Sequence, residues 1–150
     1  MANESPLLHD GAQCILGFDA RNSTFSGTTL AGPSGSGQFI PVALSTLTAR
    51  MVIPASSGGR IYGVLQNKGS SSQVADVGIF GITKAVCVSS VAIGQLLMVS
   101  TGALSTLGVG FAPYSSAANT YPVGQALEPA VAGQVFTMAI YGFGAGAQQI

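Results

Sequence analysis

His9 is the one histidine of this 150-residue chain, and it stands beside Asp10, half of the arrangement that a catalytic base and its orienting carboxylate would need. The surrounding MANESPLLHDG has nothing to bury an imidazole or fix its tautomer, so the pair reads as a solvated feature of a loose arm. Cys14 and Cys87 lie far apart in apolar surroundings, with no CxxC spacing and no histidine nearby. They read as small buried hydrophobes rather than ligands or nucleophiles, and whether they pair with each other is left open. A zinc set of the usual kind cannot be assembled from these residues. Asp76 and Glu128 are the only acids beyond the first 37 residues, and they would need to meet in a pocket for acid-base work. In so apolar a chain, capping a turn or pairing with a cation is the simpler role.

The glycine-rich tracts GPSGSG (32–37) and GFGAGA (142–147) share only composition with phosphate-cradling loops, having neither GxxxxGK[ST] nor GxGxxG nor GxSxG. Lys84 in GITKAVCV lies inside an apolar strand pattern without the flanks of a lysine-modified carrier domain, so it reads as a strand lysine reaching for solvent. Asn3-Glu4-Ser5 and Asn22-Ser23-Thr24 fit the glycosylation pattern, but no secretion signal precedes them. No catalytic residue, metal site or cofactor site emerges, and the chain is read as a non-enzyme without cofactors or small-molecule substrate.

Composition points the same way. Charged residues make up 7% of the chain and the net charge is zero, against about 25% charged in an ordinary soluble domain. The five basic residues are scattered, which excludes a phosphate-neutralising face for nucleic acid. The most apolar window, PAVAGQVFTMAIYGFGAGA, is interrupted by proline, glycines, Gln134 and Thr137, and does not read as a membrane helix. So little charge gives copies little reason to repel, which suits a protein held against other subunits.

The elements that position these residues are short. We divide the chain into an extended, Gly/Ser-rich N-terminal arm, 1–37, and a β domain, 38–150. Within the arm, SGTTLAGPSGSG predicts irregular chain, while QCILGF and Phe25 are apolar enough to dock on the chain's own core or on a neighbour. From Gln38 onward, apolar runs alternate with Gly, Ser and Pro, the pattern of an all-β fold. Strands are expected over 38–44, 49–53, 60–66, 74–80, 82–88, 95–100, 122–127 and 134–142, where QVFTMAIYG places Phe136, Met138 and Ile140 on one face. LSTLTARM (44–51) also fits one short helix. Turns are expected at PASSGG, NKGSSS and STG. Many short strands and no long helix imply a sandwich or small barrel. One echo stands out: VAIGQLLMV (91–99) and AVAGQVFTM (130–138) each enter a strand through a Gly-Gln corner, and Gly94 and Gly133 lie 39 positions apart. We expect two equivalent corners of one sheet system, each turned by its glycine.

The segments RIYGVLQNKGSSSQVADVGIFGITKAVC (60–87), SSVAIGQLLMVSTGAL (89–104) and YPVGQALEPAVAGQVFTMAIYG (121–142) resemble the capsid decoration, or cement, proteins of tailed bacteriophages. The features carrying the likeness are Gly63-Val64-Leu65, Gly81-Ile82, Ala92 to Gly102, and Gly124 to Ile140. It spans 60–142 well, 38–59 loosely and 1–37 not at all. The resemblance implies a compact β-tulip or barrel-like domain, usually a homotrimer, made in the host cytoplasm. Such a protein sits outside the shell at threefold and quasi-threefold positions, binds the major capsid protein and resists the pressure of packaged DNA. The arm would then supply contacts through Ile15, Leu16, Phe18 and Phe25, by adding an extended segment to a neighbour's sheet edge or to the shell. A second expectation is a head-fibre or adhesin base displaying a host or glycan-binding surface, with FAPYSSAANTYP (111–122) as the loop presenting Phe111, Tyr114 and Tyr121.

Overall fold

Strand β5 (Val74–Val86) organises the molecule, because its thirteen residues carry apolar side chains on both faces, interrupted only by Asp76, Thr83 and Lys84. Ala75, Val77, Ile79, Thr83 and Ala85 point inward and are buried, while Asp76, Phe80, Ile82 and Lys84 point outward. In the computed structural model, the described residues are 13–19, 38–44, 46, 52–67, 74–101, 108–117 and 119–141. They form nine strands and no helix: β1 (Gln13–Asp19), β2 (Pro41–Leu44), β3 (Val52–Pro54), β4 (Gly63–Leu65), β5, β6 (Leu96–Thr101), β7 (Val109–Pro113), β8 (Gly124–Ala126) and β9 (Val135–Ile140).

The strands are hydrogen-bonded in the order β3-β2-β4-β5-β9-β8-β6-β7, every ladder antiparallel, with β1 joined to β5 alone. The path curls into a nearly closed barrel. At one end of the path the turn after β3 reaches β6 through the Gly58 amide, which donates to Val99 O at 2.8 Å, and at the other β7 meets the residue that follows β5 through a parallel bridge between Cys87 and Phe111. Period-two patterning accounts for the core: Phe136, Met138 and Ile140 of β9 face inward with Leu97, Val99, Val42, Val64, Val77 and Phe111. Thr83 is the one buried polar side chain among the described residues, and its hydroxyl donates to Lys84 O at 3.2 Å.

The strands expected over 74–80 and 82–88 are one continuous strand. Gly81, with φ of 97°, lets β5 change partners without breaking its inside-outside alternation. The largest departure is β7. Phe111 belongs to this strand and is wholly buried, so the expected loop Phe111 to Pro122 begins only after Pro113. A Val-Gly-Phe-Ala-Pro run between serine-rich stretches shows too little alternation to mark a strand, and pairing with β6 decides it. Most of the possible helix 44–51, the tract 26–37 and the GFGAGA tract lie outside the described residues.

Candidate functional site

The two Gly-Gln corners have the same construction. Ala92–Gln95 and Val131–Gln134 are four-residue turns in which the Gln amide donates to the first residue's carbonyl, at 3.2 Å and 3.1 Å. Gly94 and Gly133 occupy the third position with φ of 76° and 87°, the signature of a type II turn. In each, the glutamine side chain folds back, so that Ala92 N–H donates to Gln95 Oε1 at 2.9 Å and Val131 N–H to Gln134 Oε1 at 3.1 Å. Gln95 and Gln134 were legible in the echo, but their role as turn clasps was not.

The corners also clasp each other. Val91 and Ala130, again 39 positions apart, exchange reciprocal hydrogen bonds of 2.9 Å and 3.1 Å. Gly94 N–H donates to Ala126 O and Ala126 N–H to Gln95 O, at 2.8 Å and 2.9 Å. Adding 39 to Gly94 and Gln95 and subtracting 39 from Ala126 gives the matching pair: Gly133 N–H donates to Cys87 O and Cys87 N–H to Gln134 O, at 2.7 Å and 2.9 Å. The ladders obey the same exchange: Val86 and Ala85 pair with Val135 and Phe136, as Gln125 and Gly124 pair with Leu96 and Leu97. Segments 85–97 and 124–136 are therefore two copies of one unit, interchanged about an approximate twofold axis through the Val91–Ala130 bridge. The tip they form is apolar and exposed at Ile93 and Val131, and neither corner contains a charged residue.

A second apolar area lies on the barrel wall, where Phe80, Ile82 and Tyr141 are 49%, 50% and 38% exposed. Sequence reasoning missed this wall. The available signal was that Phe80 and Ile82 fall on the face of β5 opposite Ile79 and Thr83, whereas only one face needs large apolar residues to line a barrel.

At the opposite kind of surface, the turn 56–60 lies along 119–121. Gly58 packs beside Asn119 O and Thr120, and the Arg60 guanidinium stacks 4.6 Å from the Tyr121 ring centroid. Tyr114 and Tyr121 of the expected binding loop are half-buried, and Phe111 is lost to the core.

Of the arm residues expected to make contacts, Ile15, Leu16 and Phe18 lie on β1 opposite Gly78, Val77 and Ala75 of β5. The structure thus docks this part of the arm on the chain's own barrel. Phe25 lies outside the described residues, as do His9 and Asp10. Asp76 and Glu128 are not brought together. Glu128 accepts the Thr137 N–H at 2.5 Å and sits 3.7 Å from Lys84 Nζ, while Asp76 is eight residues from Lys84 along β5, about 26 Å. Lys84 Nζ donates to Thr137 Oγ1 at 2.9 Å, so the strand lysine is held across the outer face. Thr137 hydrogen bonds hold the Glu128 carboxyl below its ordinary value, with the Lys84 charge adding to them. Burial pushes the Cys87 thiol up, against a hydrogen bond to the Ser89 carbonyl. That thiol is free, and no cluster of three or more metal-ligating side chains occurs among the described residues.

No protein-family model and no curated protein matches the chain. Among solved structures, the crystal structure of the head fiber gp8.5 N base of bacteriophage phi29 is similar, with a TM-score of 0.55 and 19% identity over 84% of this chain and 93% of that one. At that identity, the likeness establishes a shared all-β, barrel-like fold.

Proposed function

We propose that this chain is a structural protein of a bacteriophage head, a small β-barrel seated on the outside of the shell without catalytic activity. The observation that carries the reading is the fold shared with a phage head fiber base over nearly the whole of both chains. The near absence of charge and the exposed apolar tip and wall support it, since such surfaces suit a protein held among other subunits. In this reading the barrel binds the major capsid protein at threefold and quasi-threefold positions as a homotrimer. It stabilises the shell by mass action, because a subunit that binds only the intact shell adds its binding free energy at every occupied site.

A second reading, favoured by the neighbour's own description, is a base from which a fibre or host-binding surface projects. Its displayed surface would be the side-by-side loops carrying Arg60, Tyr114 and Tyr121. A glycan array would detect such a surface.

Mixing the protein with empty shells of its phage distinguishes the two. A cement protein adds density at threefold positions and raises the temperature at which shells rupture, whereas a fibre base binds without raising it. Failure to co-sediment with shells would refute both. Deleting residues 2–30 is expected to abolish shell binding while the barrel still folds, and unchanged binding would remove the arm from the interface.

A further inference from the structure

We infer, resting on the reading of this chain as a head protein, that the corner tip is the face the barrel sets against the shell, and that its partner is an uncharged apolar hollow in the shell protein. The fold itself makes few demands on the corners. Gly94 and Gly133 carry the positive φ, while Gln95 and Gln134 clasp the turns through Ala92 N–H and Val131 N–H. The side chains at 92, 93, 131 and 132 have no such duty. Tight turns facing water are normally filled by Gly, Pro, Asn, Asp or Ser. Here all four positions are apolar, Ala92, Ile93, Val131 and Ala132, and all four are exposed, Ile93 at 70%. A β-branched side chain held in solvent at a turn apex contributes nothing to the isolated barrel, and both corners repeat the choice.

The patch extends to the flanks of the corners. Leu96 directly follows the first corner and is exposed. Leu127, also exposed, follows Ala126, whose N–H and C=O are both bonded to that same corner. Six exposed apolar side chains thus surround the approximate twofold axis, with no charge among them. The polar groups at the margin are Gln95 and Gln134, folded back on their own turns, and the Lys84–Glu128 pair, whose charges offset each other at 3.7 Å. Along the β5–β9 ladder, Lys84 and Thr137 stand between Ile82 and Ala139 of the wall and Val86 and Val135, which lead to the tip. The tip is therefore a patch separate from the wall. An apolar centre inside a polar margin is the anatomy of a protein interface.

Charge, size and shape select the occupant. Nucleic acid needs cations that the tip lacks. A lipid surface is met by Trp, Tyr, Lys or Arg at the rim, and the rim here holds only the neutralised Lys84. Two copies set tip to tip would bring together convex turn apices with six apolar side chains each, where a stable specific interface takes about 20–30 residues a side. So small a patch suits a subunit held at other points as well, as on a shell, where several weak contacts act together. A convex, uncharged, apolar tip fits a hollow of the same chemistry.

The test uses the full-length protein and empty shells of its phage, with co-sedimentation as the readout and thermal melting as the check on folding. Ile93→Ser combined with Val131→Ser is expected to melt close to the parent, since both side chains are already largely in solvent, and to bind shells at least about tenfold more weakly. Leu44→Ser, which removes an exposed leucine from β2, is expected to bind as the parent does. A tip variant that binds shells as tightly as the parent would overturn the inference and leave the head-protein reading standing, whereas a parent that ignores shells would overturn both. Self-association of the parent that the tip variant loses, measured as mass in solution, would make the tip a contact between copies and overturn it. Flotation of the parent but not the tip variant with phosphatidylcholine vesicles would do the same in favour of lipid.

Discussion

Replacing Gly94 by alanine tests the corner geometry most cleanly, because space is not the obstacle. A Cβ built there meets nothing nearer than Gln125 Nε2 at 4.0 Å, so any loss of stability comes from the backbone. With φ at 76°, an L-residue is strained by about 1–2 kcal/mol. For a chain of this length that lowers the melting temperature by roughly 3–8 °C. Asparagine tolerates the left-handed region better, so Gly94→Asn is expected to melt between the parent and Gly94→Ala. Because the second corner has the same turn, Gly133→Ala and Gly133→Asn are expected to repeat the order with similar size. The clasping glutamines contribute less: Gln95→Ala or Gln134→Ala removes one hydrogen bond to an exposed amide, about 0.5–1 kcal/mol. Calorimetry of the six variants checks the set. An alanine variant as stable as the parent at either corner, or asparagine below alanine, would refute the assignment of a left-handed residue there and with it the equivalence of the corners.

Three further outcomes follow from the geometry. Phe111→Ala empties a wholly buried site and should cost about 3–5 kcal/mol in urea unfolding, whereas Tyr114→Ala, on the half-buried stretch after β7, should cost about 1 kcal/mol or less. The folded-state pKa of Glu128 is depressed, so its contribution is fully present above the ordinary glutamate value and is lost as pH falls through the folded value. Glu128→Gln should therefore be less stable than the parent at neutral pH, and the gap should narrow as pH falls below the ordinary glutamate value, as followed by thermal melts across pH. In a Cys14→Ala variant, Cys87 should resist a thiol reagent at pH 8 in the native protein and react at once in denaturant, since burial both shields the sulfur and raises its pKa. Rapid native labelling would contradict its place in the core.

The exchange of segments 85–97 and 124–136 also explains why the echo is short and soft. The equivalence lives in backbone hydrogen bonds, which nearly any small apolar residues satisfy, so only the residues with a special duty, Gly94, Gly133, Gln95 and Gln134, kept the same type. Ile93 and Ala132 occupy the same turn position with different side chains because both face outward.

By itself, the sequence determined the fold class, most of the strands and the two corners, because these depend on local chemistry: period-two alternation in Val135–Ile140, glycine where φ must be positive, and serine-glycine turns. It also withheld any assembled catalytic constellation. Tertiary structure alone decided that β5 is one strand shared among β1, β4 and β9, that Phe111 is core rather than loop, and that Phe80 and Ile82 face outward. Each of those turns on which partner a strand finds across the barrel, and an apolar residue looks the same in sequence whether it faces the core or the outside.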